Sequence, residues 1–277
     1  MTVLRQDIIS RLKTAALGRD QEMDVAGIAL LLAQTDFPSE PLAPFQEHLA
    51  HLAIDLSGAA KDVDHVRDMA AALSDVLFRG HNYAGDTETY DDRQNANLMR
   101  VIDRRKGLPV ALGILLIHMA RAQGWAITGL NFPGHFLLRL THAGEQAIID
   151  PFRKAKRLTA DNLAGLMNQV QGPSARMQAT YLKSASDRDI LLRLQNNIKT
   201  RALEAEDTEH ALEVLETMTL ISPDTAALVS ELAILEAEAG NFKQALGRLN
   251  SFLALRQGHP EEAQVMALMK NLKQSLQ

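Results

Sequence analysis

One histidine and one aspartate stand where two predicted strands would bring them together for acid–base chemistry. Segments 135–140 and 146–150 read as strands, and the connection THAGEQ between them contains the glycine typical of a hairpin loop. Hairpin register follows from the turn, so a turn centred near Ala143 places His135 almost opposite Asp150. A carboxylate beside a histidine fixes the imidazole tautomer that accepts a proton. We therefore predict a hydrogen-bonded pair.

A plain structural role is the alternative for these two residues. In that case His135 is an ordinary strand residue, and Asp150 is a turn former placed before Pro151. We favour the pair because both residue types and the expected register agree.

No thiol is available to work with this pair, because the chain contains no cysteine. That absence also excludes disulfides and thiolate zinc sites. Hydroxyl groups occur upstream, but their spacing singles none of them out as a substitute nucleophile. They belong to Ser74, Thr87, Thr89 and Tyr90.

A metal site is the other chemistry to weigh, because segment 81–92 is rich in oxygen and imidazole ligands. These are His81, Asp86, Glu88, Asp91 and Asp92. The segment has no histidine pair one helical turn apart, which is the spacing typical of a helical zinc site. We expect neither a metal nor a cofactor.

Charge and hydropathy narrow the classes of partner. The chain has 29 Lys and Arg against 34 Asp and Glu, a formal net charge of −5, so we expect no nucleic-acid partner. The basic segment at 153–157 is predicted to be a solvated loop. The N-terminal segment lacks a continuous apolar core, and no later stretch approaches the roughly 20 apolar residues of a membrane span. We expect a cytoplasmic protein without a membrane partner.

Helical periodicity dominates residues 1–80, where apolar residues recur three and four apart. The segment 80–93 has no such period and is predicted to be a loop, followed by a short helix at 95–105. Pro109 suits the first position of a helix, and the almost wholly apolar residues after it predict a helix buried on all sides.

The period then shortens to that of strands, at 126–132, 135–140 and 146–150. Thr159 is predicted to cap a helix that runs to about Val170. The segment Gln171-Gly172-Pro173-Ser174 is the best domain boundary. We predict a first domain at 1–172, with a helical region at 1–80 and a core at about 95–170, and a second domain at 173–277.

A 34-residue period marks the C-terminal region. It relates Ala211 to Ala245 and Leu215 to Leu249, and Gly240 fits the turn between two helices. This is the period of tetratricopeptide repeats, in which a small residue lets paired helices approach closely. A generic helical bundle is the alternative.

Four motifs in the same order resemble the SirB1 family over about residues 60–270. They are Asn97-Leu98, Gly107-Leu108-Pro109-Val110-Ala111-Leu112, Asn131-Phe132-Pro133-Gly134-His135-Phe136 and Ile149-Asp150-Pro151-Phe152. The resemblance implies an α+β fold. A helical N-terminal part and a transglutaminase- or papain-like core with a small antiparallel sheet would precede an all-α, tetratricopeptide-like tail.

The resemblance also implies where a site would lie. In active relatives a cysteine begins a buried helix, a histidine begins a strand and an aspartate ends the next strand. The matching positions here are Pro109, His135 and Asp150, so the nucleophile position has no nucleophilic atom. We therefore assign no catalytic residue, and we name as candidates for a binding cleft Asn97, Pro109, Asn131, Gly134, His135 and Asp150.

The leading functional expectation is a non-catalytic adaptor or regulator that binds a protein or peptide, in the cleft, in the helical tail or in both. The alternative is a hydrolase or acyl transferase that uses a non-cysteine nucleophile or an activated water. A hydroxyl or water within about 3.2 Å of His135 would favour that alternative. A role in regulating transcription would rest on the family's name alone.

Overall fold

Helices form the N-terminal part of the chain, as the sequence predicts. The computed structural model describes residues 3–20 and 22–275. These first helices bury their apolar residues in one large core. They are α1 (Val3–Ala15), α2 (Val25–Gln34), α3 (Ala43–Ala59) and α4 (Val66–Ser74), and a π-helical turn at Asp75–Gly80 continues α4.

One short strand interrupts the segment that the sequence predicts as a loop. Strand β1 (Ala84–Gly85) pairs in parallel with β2 (Lys106–Gly107), and α5 (Leu98–Arg104) lies between them in sequence. The prediction of a plain loop at 80–93 was therefore wrong in part. Two-residue strands leave no periodic pattern, because their pairing depends on a partner distant in sequence.

The central helix α6 (Pro109–Ala122) is buried on nearly all sides, with ten of its fourteen residues inaccessible. Pro109 occupies its first turn, as predicted, where the missing N–H costs no hydrogen bond. The helix packs against α2, α3, the strands and the helix at Asp187–Glu204. It therefore anchors both the sheet and the C-terminal helices.

The sheet is antiparallel and has the strand order β6-β5-β4-β3-β7. Its hairpin pairs Leu138 with Ile149 and His142 with Glu145. The turn consists of Ala143 and Gly144, both with positive φ, so the register differs by only one position from the predicted one. The strands are β3 (Ala126–Leu130), β4 (Leu137–His142), β5 (Glu145–Asp150), β6 (Lys156–Leu158) and β7 (Ser184–Ala185).

Thr159 caps α7 (Ala160–Gln171) through a capping box with Asn162, as the sequence predicts. Beyond α7 the chain returns to the sheet, where β7 pairs with β3. Residues on both sides of position 172 thus contribute to one sheet. The domain boundary at 172 stays a prediction.

Helices form the rest of the described chain and confirm the predicted helical tail. Ala211 and Ala245 are fully buried, as expected for small residues between closely packed helices. Gly240 turns the chain with a φ of 84°. Helix α1 packs against α9, and α8 packs against α2 and α6. These helices are α8 (Asp187–Glu204), α9 (Thr208–Ile221), α10 (Ala226–Glu238), α11 (Phe242–Leu255) and α12 (Glu262–Gln274).

Candidate functional site

The three positions that match the catalytic set of active relatives, Pro109, His135 and Asp150, are here called the degenerate site. Pro109 begins α6, and Leu108 before it gives the helix no side-chain cap. The positions at and beside the expected nucleophile are Leu108, Pro109 and Val110, none of which has a nucleophilic side-chain atom. The site thus retains the helix N-terminus but not the reacting group.

Asp150 is a buried turn former at the end of β5. Its Oδ1 accepts hydrogen bonds from the backbone N–H groups of Phe152 at 2.9 Å and Arg153 at 3.3 Å. Its Oδ2 lies 3.7 Å from Nε of Arg153. The Asp150 carboxylate therefore binds local backbone N–H groups and lies beside one arginine. This is the role of a turn former, the alternative to a catalytic-type pair with His135.

His135 lies in a turn two residues before β4 begins, so the prediction that it starts the strand was wrong. Gly134 has a φ of 67°, a left-handed conformation that strand pairing does not accommodate. No hydrogen bond joins His135 to Asp150 in residues 3–20 and 22–275, and the predicted hydrogen-bonded pair is corrected accordingly. The imidazole instead contacts the ring of Phe132 at 6.3 Å between centroids.

The pKa of His135 is nevertheless sensitive to its charged neighbours. Burial lowers the pKa, the charge of Asp150 raises it, and the charges of Arg153 and Arg193 lower it. The imidazole is therefore neutral at pH 7 and lies close to Asp150 without bonding to it.

The remaining cleft candidates do not gather around His135. Asn97 is buried at the N-terminus of α5, where it accepts from the N–H of Arg100 and donates to the carbonyl of Ala33 and to Asp36. It lines a separate cavity of about 800 Å³, together with Asp36 and His210.

Asn131 and Gly134 lie nearer to His135 but face other parts of the chain. Asn131 is exposed, and its backbone N–H bonds to the carbonyl of Lys183. Gly134 lies against Val170 of α7, so closely that a Cβ at this glycine would be 2.6 Å from a Val170 methyl carbon. Both residues shape the chain locally.

Asp86, an acidic residue of segment 86–92, serves the loop itself. Asp86 accepts from the N–H groups of Glu88 and Thr89, from the Thr89 hydroxyl and from Arg104. The backbone hydrogen bond from Thr89, more than any other contact, holds the pKa of Asp86 far below its usual range. Within the described ranges no three or more of the histidine and acidic side chains are arranged to hold a metal ion.

Sequence reasoning missed Arg193 of α8. Its guanidinium lies over the ring of Phe136 at 5.5 Å, and its charge reaches His135. The only available signal was its eight-residue separation from Arg201, which places both arginines on one face of a helix. Nothing in that spacing indicates which residues the face would meet.

The helical tail contains a groove of about 740 Å³ that α1, α9, α10 and α11 line, here called the tail groove. Its apolar lining residues are Leu220, Pro223, Val229, Leu232, Phe252 and Leu255. The ionisable residues that line it, Lys13, Arg248 and Arg256, are all basic. A Cβ at Gly247, another lining residue, would have no atom within 4 Å, so the groove is open at that point.

The fold and the degenerate site define a transglutaminase-like domain joined to tetratricopeptide repeats. The model of the transglutaminase-like superfamily matches residues 43–196, and that of the tetratricopeptide repeat matches residues 198–272. The chain belongs to the UPF0162 family, in agreement with its SirB1-like motifs.

Two family members illustrate the similarity. A UPF0162 protein of Vibrio cholerae is 30% identical over 206 residues, which cover 73% of this chain and 75% of the relative. A UPF0162 protein of Pseudomonas aeruginosa is 32% identical over 211 residues, covering 72% and 74%. Among the helices of the described part of the chain, none combines the length and apolar character that crossing a membrane requires.

Proposed function

We propose that this protein is a non-catalytic, cytoplasmic module that binds a peptide segment of a partner protein in the tail groove. The observation that carries the proposal is the open groove itself. It is lined by apolar side chains together with basic ones. Apolar contact supplies affinity, and polar groups fix the orientation of the bound segment.

The degenerate site supports the non-catalytic part of the proposal. Acyl transfer requires a nucleophile in contact with a base, and Pro109 offers no such atom. In the described chain no side-chain hydroxyl hydrogen-bonds to His135. The alternative hydrolase or acyl transferase would therefore depend on a water that His135 activates.

Gly247 provides the decisive variant, Gly247→Leu. Leucine is a better helix former than glycine, and its side chain would project into the groove without meeting a neighbour at Cβ. Gly165→Leu on α7 is a matched control, because a Cβ there also has no atom within 4 Å and position 165 lies outside the groove.

The experiment uses the full-length protein as bait in cell lysate, followed by binding measurements with each purified candidate partner. We expect the partner to bind the wild type, the Gly165→Leu control and His135→Ala, and to be lost with Gly247→Leu. If a partner binds Gly247→Leu with the same affinity as the wild type, the tail groove is not its binding site. Loss of the partner with His135→Ala alone would move recognition to the degenerate site.

The enzyme alternative has its own test. Wild type and His135→Ala are incubated with a mixture of synthetic peptides and an amine donor, and the products are analysed by mass spectrometry. We expect no product that depends on His135. Hydrolysed or amine-linked peptides that form only with the wild type would contradict the non-catalytic proposal.

A further inference from the structure

The cavity that Asn97 lines, here called the junction cavity, lies where the N-terminal helices meet the helical tail. Its walls come from α1, α5, α8 and α9 and from the segment that joins α2 to α3. Phe37, Pro38 and Ile198 give it apolar surface. Its volume of about 800 Å³ falls within the range of sites that bind small molecules.

Each arginine that lines the junction cavity already has an acidic partner. The pairs are Arg5 with Glu213, Arg93 with Asp207 and Arg100 with Glu40. Asp36 differs, because no arginine or lysine of the described chain reaches it at ion-pair distance. Burial raises the pKa of Asp36 and outweighs the charge of His210 and the hydrogen bond from Asn97, which both lower it. The cavity therefore contains a carboxylate that would gain from a cation.

Asn97 fixes the orientation of the Asp36 carboxylate. Its Nδ2 donates to Oδ2 of Asp36 at 2.9 Å, and its own Oδ1 accepts from the N–H of Arg100. The other carboxylate oxygen of Asp36, Oδ1, lies 3.9 Å from Nε2 of His210 and accepts no hydrogen bond from residues 3–20 and 22–275. One acceptor of defined position is therefore left for a ligand.

His210 of α9 lies between two carboxylates. Nε2 faces Asp36 and Nδ1 faces Glu213, each at 3.9 Å, which is too far for a direct hydrogen bond. A neutral imidazole has one N–H and one nitrogen lone pair. Whichever nitrogen carries the proton, the other one faces an oxygen that is also an acceptor. Such a pair of acceptors requires a donor between them.

We propose that the junction cavity binds a primary ammonium group carried on an alkyl chain. The nitrogen lies between Oδ1 of Asp36 and Nε2 of His210, because a donor about 2.8 Å from each can bridge two acceptors that are 3.9 Å apart. Nδ1–H of His210 then points towards Glu213. The ammonium charge compensates Asp36, and the alkyl chain contacts Phe37 and Pro38.

The Asp36 side of the imidazole is the side that needs a cation. Glu213 on the other side already pairs with Arg5, whereas the hydrogen bond to Asp36 comes from the neutral amide of Asn97. A water molecule can bridge the same two acceptors, but it supplies no charge and makes no contact with the apolar wall. The junction cavity is separate from the tail groove, so the proposal does not rest on the proposed function.

Butylammonium, butyltrimethylammonium and butanol are the probes, in ligand-detected NMR titrations of the full-length protein. The titrations are run at about pH 8, where a primary ammonium group remains charged. The second probe keeps the charge but has no N–H group, and the third keeps the alkyl chain but has no charge. We expect butylammonium to bind at least about tenfold more tightly than either. Equal binding of butyltrimethylammonium, or no binding of butylammonium, would overturn the proposal.

Two variants assign the binding to the cavity. Asp36→Asn removes the charge but keeps an acceptor for Asn97, and His210→Phe keeps a ring but removes both nitrogens. We expect each to weaken binding of butylammonium at least about tenfold. Asp161→Asn on α7, an exposed position that does not line the cavity, is the matched control and should bind as the wild type does. Unchanged affinity in either cavity variant contradicts the proposal.

A lysine derivative distinguishes the two sources of such a group. Nα-acetyl-lysine methylamide carries the same ammonium and the same butyl chain, so its affinity relative to butylammonium measures the effect of the peptide groups. Tighter binding of the derivative assigns the cavity to a lysine side chain of a peptide. Weaker binding assigns it to a free amine.

Melting temperatures and the protonation of His210 complete the test. Added butylammonium should raise the melting temperature of the wild type and of Asp161→Asn but not that of Asp36→Asn, and the same curves show whether the variants are folded. Nitrogen NMR of the imidazole in the ligand-free protein should show one protonated nitrogen. A ring protonated at both nitrogens leaves no acceptor beside Asp36 and would rule out the proposed site.

Discussion

The degenerate site and the tail groove differ in how much open surface they offer to a ligand. In and around the degenerate site, Asp86 and Asp150 accept hydrogen bonds from their own loops. In the tail groove, Arg248 and Arg256 are also engaged, in ion pairs with acids that do not line the groove, but the apolar lining beside Gly247 stays open. Side chains that already bind other groups of the protein have few free hydrogen-bonding atoms for a ligand. This contrast explains why the groove, and not the degenerate site, carries the proposed function.

The largest expected effect comes from removal of the Asp86 carboxylate, which tests whether the acidic side chains in and around the degenerate site serve the fold. Asp86→Ala should lower the free energy of unfolding by about 3 kcal/mol, because Arg104 and two backbone N–H groups lose their acceptor in a buried place. Urea denaturation measures the change. Glu88→Ala is the control in the same loop, where the side chain is exposed and little change is expected. A stable Asp86→Ala protein would mean that this carboxylate is free for another role.

A double-mutant cycle on His135 and Asp150 tests whether the two residues act as a pair. Asp150→Ala should cost about 1 kcal/mol of unfolding free energy, because it removes a cap on the turn after β5. The coupling energy with His135→Ala should be below about 0.5 kcal/mol, since no hydrogen bond joins the two side chains. Asp150→Asn should retain most of the stability, because asparagine caps as well. A coupling above 1 kcal/mol would restore the pair that the sequence predicts.

The pH dependence of stability is the smallest expected effect. Burial, followed by the charge of Arg105, lowers the pKa of His48 from 6.5 to about 4, and burial lowers the pKa of His135 as well. The unfolded chain then binds protons that the folded protein does not, so stability should fall as the pH decreases from 6.5 towards 4. Urea midpoints between those two pH values measure the fall.

Single variants divide that effect between the two histidines. His48→Gln and His135→Gln should each flatten the curve. A curve that rises towards low pH would contradict the neutral state assigned to both imidazoles.

Local patterns allowed much of the fold to be predicted. Pro109 at the start of α6, the Ala143-Gly144 turn, the Thr159 cap and the 34-residue spacing of Ala211 and Ala245 all follow from residues close in sequence or from a repeat. Each of these features is a backbone requirement that few residue types satisfy.

The candidate site was less predictable, because it depends on contacts between distant segments. The register placed His135 within one position of Asp150, but the positive φ of Gly134 turns the chain before β4 begins. Arg193 meets Phe136 only after α8 packs against α6, which no local pattern indicates. Asn97, named from the sequence as a cleft candidate, instead caps α5 by accepting from the N–H of Arg100.

The contact between α1 and α9 has a consequence for the order of events during synthesis. Arg5 of α1 pairs with Glu213 of α9, 208 positions later, and Lys13 of α1 lines the tail groove with Arg256. A contact between segments so far apart forms late, after the chain between them has left the ribosome and folded. Nascent chains therefore lack the complete groove, so a segment that binds there as proposed would bind only after α11 has been translated.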